Sequence, residues 1–309
     1  MRKLLWGGLI LILLVFPEWA WGQAKVGTAG AQFLELGVSA RAVGMGEAFL
    51  SLCNDVSAVY YNPAGLTQLT DRQAMFTHVS CPADINYEFA ALAYPSVKFG
   101  GVWGIGFYML NAGEMDYTDY PVAFHPTQTF TAKEYALGFS YARSLTDRFN
   151  VGVTLKLIDE LYDTERATGW AADMGTLYDT GFKGFKIGMM ISNFGQDLKF
   201  ISESYPLPMN FRFGGVVDII RRDNHSAVFA VEGSHPNDNM EKYNAGIEYW
   251  YRDMFSLRVG DYMSYDAGGI SFGAGAKFDV SKVKLSFDYG YHDMGYLENI
   301  HRFSVGVIF

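Results

Sequence analysis

Phe149-Asn150-Val151-Gly152-Val153-Thr154-Leu155-Lys156-Leu157 decides the fold, because its large apolar residues fall on every second position. A period of two puts Phe149, Val151, Val153, Leu155 and Leu157 on one face of a strand, and Asn150, Gly152, Thr154 and Lys156 on the other. The pattern recurs downstream. Val283, Leu285, Phe287, Tyr289 and Tyr291 oppose Lys282, Lys284, Ser286, Asp288 and Gly290, while Tyr135, Leu137, Phe139 and Tyr141 oppose Ala136, Gly138, Ser140 and Ala142. A soluble sandwich alternates too, but it hides the apolar face in a core and has no need of so many glycines and alanines opposite. An apolar, aromatic-ended face backed by a small or polar one fits a sheet closed into a membrane barrel, with lipid outside and a lumen inside.

Working outward, the region from 71 to 309 divides into about fourteen such strands of about ten residues, the length a tilted strand needs to cross about 25 Å of hydrocarbon. The connections sort by parity. The even-numbered ones are tight: 95–99, 144–148, 180–183, 221–225, 252–253 and 280–281. Odd-numbered ones include the longer stretches 111–131, 160–167, 194–207, 233–240 and 292–299. Barrels with both termini in the periplasm have short turns there and long loops outside, whereas a soluble meander has no reason to sort loops in this way. The first odd connection, around Cys81–Ala83, is short and breaks the rule. The fold expected is therefore all-β: a transmembrane antiparallel β-barrel of about fourteen strands with a short N-terminal plug.

Composition agrees. Aromatics make up 16% of the chain and there are 34 glycines, as close-packed strands and aromatic girdles require. Arg2 and Lys3 precede an apolar run from Leu4 to Phe16, which is shorter than the roughly 17 to 25 residues of a spanning helix and reads as a secretory signal over residues 1–24. Two cleavage frames are open, before Gln23 or before Lys25. A formal net charge of −9 argues against a nucleic-acid partner. Cys53 and Cys81 are the only cysteines; in an exported chain they either form a disulfide or pack separately as small apolar residues.

Residues 25–70 lack the two-residue alternation and are rich in alanine and glycine. Ala40-Arg41-Ala42-Val43-Gly44-Met45-Gly46-Glu47-Ala48-Phe49 leads through Asp55, a possible helix N-cap, to Tyr60-Tyr61-Asn62-Pro63-Ala64-Gly65-Leu66. One or two helical turns ending at a tight bend are expected, small enough to sit in a lumen. Arg41 and Glu47 would then pair with inward groups such as Asp288 or Lys284.

These two stretches resemble the PorV/PorQ group of outer-membrane proteins, which is related in architecture to the FadL long-chain fatty acid transporters. Ile191-Ser192-Asn193-Phe194-Gly195 and Pro206-Leu207-Pro208 add support, and with the strand pattern the resemblance covers almost the whole exported chain. It implies a fourteen-stranded barrel with the N-terminal segment (Arg41, Gly44, Met45, Gly46, Glu47, Asn62, Pro63, Ala64, Gly65) folded into the pore. It also implies a non-enzymatic role in handling secreted surface proteins, with a type IX translocon and its cargo as partners. The FadL relatives imply the alternative, transport of hydrophobic small molecules. Phe303, Val305, Val307 and Phe309 alternate on the last strand, which resembles the signal that barrel-assembly machinery reads on its clients; Phe303 and Phe309 are its expected carriers.

Other chemistry is weaker. Gly44-Met45-Gly46 lacks the third glycine and the βαβ context of a dinucleotide site, and Gly273-Ala274-Gly275-Ala276-Lys277 fails as a P-loop for the same reason. Asn237, Asp238, Asn239 and Glu241 offer hard oxygen ligands for calcium, and Glu160, Asp163 and Glu165 form a second acidic loop, but solvated loop charge accounts for both. The six histidines show no metal-ligand spacing. His301 and Ser286 on neighbouring strands are the only hydrolase-like pair, with no nucleophile motif behind them. No cofactor, metal or enzymatic activity is expected, and the surrounding lipid is the outer membrane's.

Overall fold

The computed structural model describes residues 26–119 and 123–309, so the expected signal segment lies outside the described residues. Fourteen antiparallel strands close into one barrel. In chain order they are β1 (Gln73–Ser80), β2 (Asn86–Ser96), β3 (Gly101–Asp119), β4 (Ala123–Ser144), β5 (Phe149–Tyr162), β6 (Glu165–Asp179), β7 (Lys186–Gly195), β10 (Asn210–Arg222), β11 (His225–Pro236), β12 (Lys242–Tyr251), β13 (Phe255–Met263), β14 (Ile270–Val280), β15 (Val283–His292) and β16 (Ile300–Ile308). β16 pairs with β1 to close the wall, Gln73 facing Ile308. The remaining two strands, β8 (Leu198–Phe200) and β9 (Glu203–Tyr205), form a separate small hairpin between β7 and β10.

The two faces fall as the alternation requires. Val153, Leu155 and Leu157 are exposed on the outside, as are Phe139, Phe272, Phe287, Phe303 and Val305, whereas Thr154, Lys156, Ser140, Asp288 and Ser304 are buried inside. An outward apolar belt on a sheet with no free edge leaves every strand hydrogen-bonded within the protein, the condition for spanning lipid. The even-numbered turns are short, as expected. Arg252 and Asp253 both take positive φ (53° and 52°) in the three-residue turn between Tyr251 and Phe255.

Three expected loops are different. The stretch 111–131 continues as strand: β3 and β4 pair from Asn111 opposite Lys133 up to Asp119 opposite Ala123, with register shifts after Asn111 and Asp116. Thr, Tyr and Phe keep the stretch extended, and the bulges absorb its breaks in alternation. Likewise 160–167 tightens to a turn between Tyr162 and Glu165, with Asp163 at φ 56°. The stretch 194–207 carries the β8–β9 hairpin.

The core lies inside the barrel. The helical turns Gln32–Glu35, Ala40–Val43, Ala58–Tyr61 and Pro63–Gln68 pack against inward residues of the wall, and Val38, Ala42, Met45, Phe49, Val59, Tyr61 and Leu66 are wholly or almost wholly buried.

Candidate functional site

The plug is seated in two glycine-lined recesses of the wall. Gly246, Gly260, Gly273 and Gly290 are inward positions of β12 to β15, and the Ala40–Gly46 segment lies directly on them. A Cβ on Gly246 would overlap the Met45 carbonyl, one on Gly260 the Gly46 amide, and one on Gly290 would stand 2.7 Å from the Ala40 carbonyl oxygen. Gly44 needs the same closeness from the plug's side, its Cβ position being 2.8 Å from Gly273 Cα. The Gly-Met-Gly stretch is therefore a backbone-to-backbone seat, not a nucleotide loop. Across the lumen, Gly152 and Gly175 face each other on β5 and β6 and leave the room filled by Pro63, Ala64 and Asn62. Asn62 fixes that bend: its Oδ1 accepts from the Ala64 amide (3.1 Å), and its Nδ2 donates to Leu50 O (3.1 Å) and Thr176 O (3.0 Å). Gly65 is pressed against the Cys53 carbonyl. Cys53 and Cys81 are free thiols.

Arg41 is paired, but not where the sequence pointed. Its guanidinium donates to both Glu248 carboxylate oxygens (2.8 and 2.7 Å), to Asp55 Oδ2 (2.7 Å) and to Asn54 Oδ1 (2.7 Å). Burial alone would lower the Arg41 pKa, but Glu248 and then Asp55 outweigh it and raise it. Asp288 is reached only at second hand, through Arg258, which donates to Glu248 (2.7 Å) and to Asp288 (2.7 Å). Lys284 lines the cavity beneath this network. Glu248 was missed in the sequence, although its position between Ile247 and Tyr249 marks it as an inward carboxylate.

Glu47 has no ion pair among the described residues. Its carboxyl pKa is raised, first by burial, against the pull of Arg302 and Arg212. It lines a chamber of about 80 Å³ toward the long-loop end, with Glu35, Tyr60, Arg212, Glu232, Lys242 and Tyr265. Glu232 is held there by the Phe49 and Leu50 amides (3.1 and 3.0 Å) and by Arg212 (2.6 Å). Leu34 also lines it, and Leu198 and Leu207 of the β7–β10 connection belong with Leu34 to the buried apolar core. Its neighbour is a polar knot: Lys156 Nζ meets Asp173 (2.8 Å) and Asn193 Oδ1 (2.7 Å), and Asn193 Nδ2 donates to Pro208 O (3.0 Å). Asn193, at φ 58°, sits where the β6–β7 register shifts. That is the structural work of the Ile191–Gly195 and Pro206–Pro208 stretches.

Below the plug, toward the short turns, a vestibule of about 790 Å³ opens, lined by Arg41, Leu52, Glu248, Trp250 and Lys277 among others. The turn Phe49-Leu50-Ser51-Leu52 separates the two spaces. It hangs between Glu232 above and Glu248 below, which stand four residues apart along the pairing of β11 and β12.

The remaining candidates disperse. His301 faces outward and bonds Tyr289 OH (2.8 Å); it is paired with Tyr291, five positions along the strand from the Ser286–Gly306 pair. Asp238 accepts from Gln32 (2.6 Å), Asn237 donates to Leu207 O (3.0 Å), and Glu241 faces His235 (3.1 Å), so these ligands do not converge. No cluster of metal-binding side chains occurs among the described residues. Phe303 is outward on β16, and Phe309 is half-exposed, its amide donating to Arg72 O (3.0 Å).

Comparison with known proteins places this architecture. No family model and no curated protein matches the chain. Among solved structures, the toluene transporter TbuX of Ralstonia pickettii aligns with a TM-score of 0.62 at 14% identity, over 88% of this chain and 97% of its own. The CymD monoaromatic hydrocarbon channel aligns at 0.59 and 13% identity, over 88% and 96%. A Pseudomonas aeruginosa FadL homologue aligns at 0.57 and 12%, over 88% and 98%. The chain has the fold of FadL-like barrels. Of the two relationships the sequence implied, this is the one that finds support, since nothing in these matches bears on the PorV/PorQ group or on type IX secretion.

Proposed function

We propose that this chain is an outer-membrane transporter for small hydrophobic molecules, non-enzymatic and gated by its own N-terminal segment. This reverses the order of the two roles implied by the sequence. The observation that carries it is the lumen itself: one folded segment lies between a small upper chamber and a wide lower vestibule. A barrel so built is a gated passage, and the solved barrels of the same architecture are hydrocarbon channels and toluene transporters. The barrier to passage is the Phe49–Leu52 turn. Glu232 holds it by the Phe49 and Leu50 amides and Asn62 by the Leu50 carbonyl, so moving it aside breaks two hydrogen bonds to a charged group, worth about 1.5 to 3 kcal/mol each, together with the Asn62 bond and the burial of Phe49 and Leu50.

The same reading includes export by the 1–24 signal, plug and barrel as the division of the remaining chain, and recognition of Phe303 and Phe309 by assembly machinery. A surface-protein role in type IX secretion has no observation favouring it.

The test is uptake of toluene by intact Gram-negative cells with and without the chain, with sucrose as the polar control. Faster toluene entry with unchanged sucrose entry is expected. Equal acceleration of both would make the barrel a general pore, and acceleration of neither, together with co-purification of a translocon, would restore the secretion role.

A further inference from the structure

At the long-loop end of the lumen wall, two carboxylates face each other. Glu134 on β4 and Glu160 on β5 are directly opposite in the pairing of the two strands, and both alternate with outward residues, so they share the inward face. Opposed Cβ atoms on one face of a sheet stand about 4.5 to 5.5 Å apart, and like charges so placed repel. Their neighbours offer no relief. Glu134 lies beside Leu110 on β3 and Glu160 beside Ala167 on β6, while the next inward row holds the buried pair Ala136 and Ile158. Glu160 is itself only 1% exposed, and its Oε1 has no hydrogen-bond partner among the described residues.

The pair stands above the acyl chains. Leu157 and Trp170 form the last apolar outward row; the outward position after Leu157 is Asp159, bridged to Arg166, a charged pair that belongs with water and headgroups. Other charges nearby are committed elsewhere. Arg166 is held on the outer face by Asp159, Lys156 is neutralised by Asp173 two inward rows below, Lys133 alternates outward, and Glu114, Asp163, Glu165, Lys199 and Glu203 are exposed. Two contacts do engage the pair. The Tyr162 hydroxyl donates to Glu134, and its ring stacks on Phe200 of the β8–β9 hairpin (5.3 Å between centroids). The Ala31 amide, at the start of the plug segment, donates to the Glu160 carboxylate. Burial first, and then Glu134, push the Glu160 carboxyl up to about 7 against the pull of that amide, and burial raises Glu134 against Tyr162. Two carboxylates placed in this way do not both keep their charge.

We propose that Glu134 and Glu160 hold one proton between them, and that this proton fastens the start of the plug segment, at Ala31, to the mouth of the barrel. With the proton in place, Glu160 keeps the Ala31 turn seated and Glu134 keeps Tyr162 and the hairpin beside it. Without it, two buried carboxylates repel, and the seat opens to water. The seated form binds the proton more tightly than the released one, so its advantage is complete below the ordinary carboxylate range and is lost as pH rises through the higher value of the seated pair. The proposal does not depend on the transport reading.

The experiment is hydrogen exchange of the 31–36 amides in the full barrel, corrected for intrinsic rates. In the wild type, exchange is expected to rise by up to tenfold per pH unit between about pH 5 and about pH 7, and then to level off. Glu160→Gln and Glu134→Gln each leave a lone carboxylate opposite a neutral amide, so each is expected to flatten the profile, and either one serves if the other does not give a heat-modifiable barrel. Difference infrared spectroscopy of wild type against Glu160→Gln should show a protonated-carboxyl band at low pH that disappears over the same range. Glu35→Gln, on the same segment but bonded to Asn210, and the exposed Glu203→Gln are expected to keep the slope. A wild-type profile that is already flat, a slope that survives in both Glu134→Gln and Glu160→Gln, or a slope abolished by calcium, which would make the occupant a metal ion, would each overturn the proposal.

Discussion

The plug touches two unlike walls. On the β12–β15 side it meets glycines and a relay of charges: Arg41 to Glu248, Glu248 to Arg258, Arg258 to Asp288. On the β1–β5 side it meets rings and aliphatic groups, with Tyr60 against Tyr61 (4.7 Å between centroids) and Tyr108 against Phe89 (5.1 Å), all four of them buried. Apolar contact is non-directional and tolerates sliding, so the aromatic wall supplies burial without fixing where the plug stops. A bidentate carboxylate and a backbone-width recess each accept one placement. The charged wall therefore sets the register, and the aromatic wall supplies most of the burial.

Removing Glu248 should break this division most severely, because two buried guanidinium groups lose their shared partner. Glu248→Ala is expected to cost plug docking about 3 to 5 kcal/mol, while strand pairing survives. Hydrogen exchange of the 40–55 amides should accelerate and single-channel conductance should rise, with the heat-modifiable band intact. Arg41→Ala should follow at somewhat smaller size, since Arg258 keeps Glu248 paired. Unchanged exchange in both variants would show that the charges do not hold the plug.

Next in size is the recess. Gly260→Ala forces a methyl into the Gly46 amide, and overpacking of this kind costs about 1 to 3 kcal/mol. The expected readout is protease access at Met45–Glu47 with normal barrel assembly. Leu257→Ala, on the outer face of the same strand, serves as the control and should leave protease access unchanged. On the aromatic wall the prediction runs the other way. The hydroxyls of Tyr87 and Tyr108 are buried without a hydrogen-bond partner among the described residues, so Tyr108→Phe should leave plug protection within about 1 kcal/mol of wild type or improve it. A marked loss would mean that this wall, too, has a polar registration point.

Most of the wall was legible from period two alone, because a strand's faces follow from its own sequence. What failed was where strands stop. In 111–131 the alternation is imperfect, and only the partner strand, with its two bulges, reveals that pairing continues. The plug's position was legible from Gly44–Gly46 and Asn62–Gly65, since small residues and a bend signal close approach. Its partner was not. Arg41 had several inward carboxylates within reach of any reasonable register, and choosing Glu248 over Asp288 requires knowing that Arg258 stands between them. Pairings across a lumen depend on tilt and closure, which no local pattern encodes.

The smallest effect concerns Glu47, a plug charge that joins neither wall by an ion pair among the described residues. Burial raises its carboxyl pKa in the folded protein. A raised folded pKa means that the docked plug binds a proton more tightly than the undocked one. The favourable contribution is then complete below the ordinary carboxylate range and disappears as pH rises through the folded value. At neutral pH the docked state instead carries the cost of a partly buried, unpaired carboxylate. Glu47→Gln is isosteric and uncharged, so it should protect the 40–55 amides slightly better than wild type at pH 7. The difference should shrink to nothing as pH falls below the usual glutamate range, where both side chains are neutral. Arg302 and Arg212 act in the opposite sense, and the variant gives up their attraction, which is why the gain stays small. Hydrogen exchange at matched intrinsic rates across pH 4 to 8 measures it. A Gln variant that is less protected at pH 7, with the gap widening as pH rises, would mean that those two arginines win over burial and that Glu47 belongs with the charged wall after all.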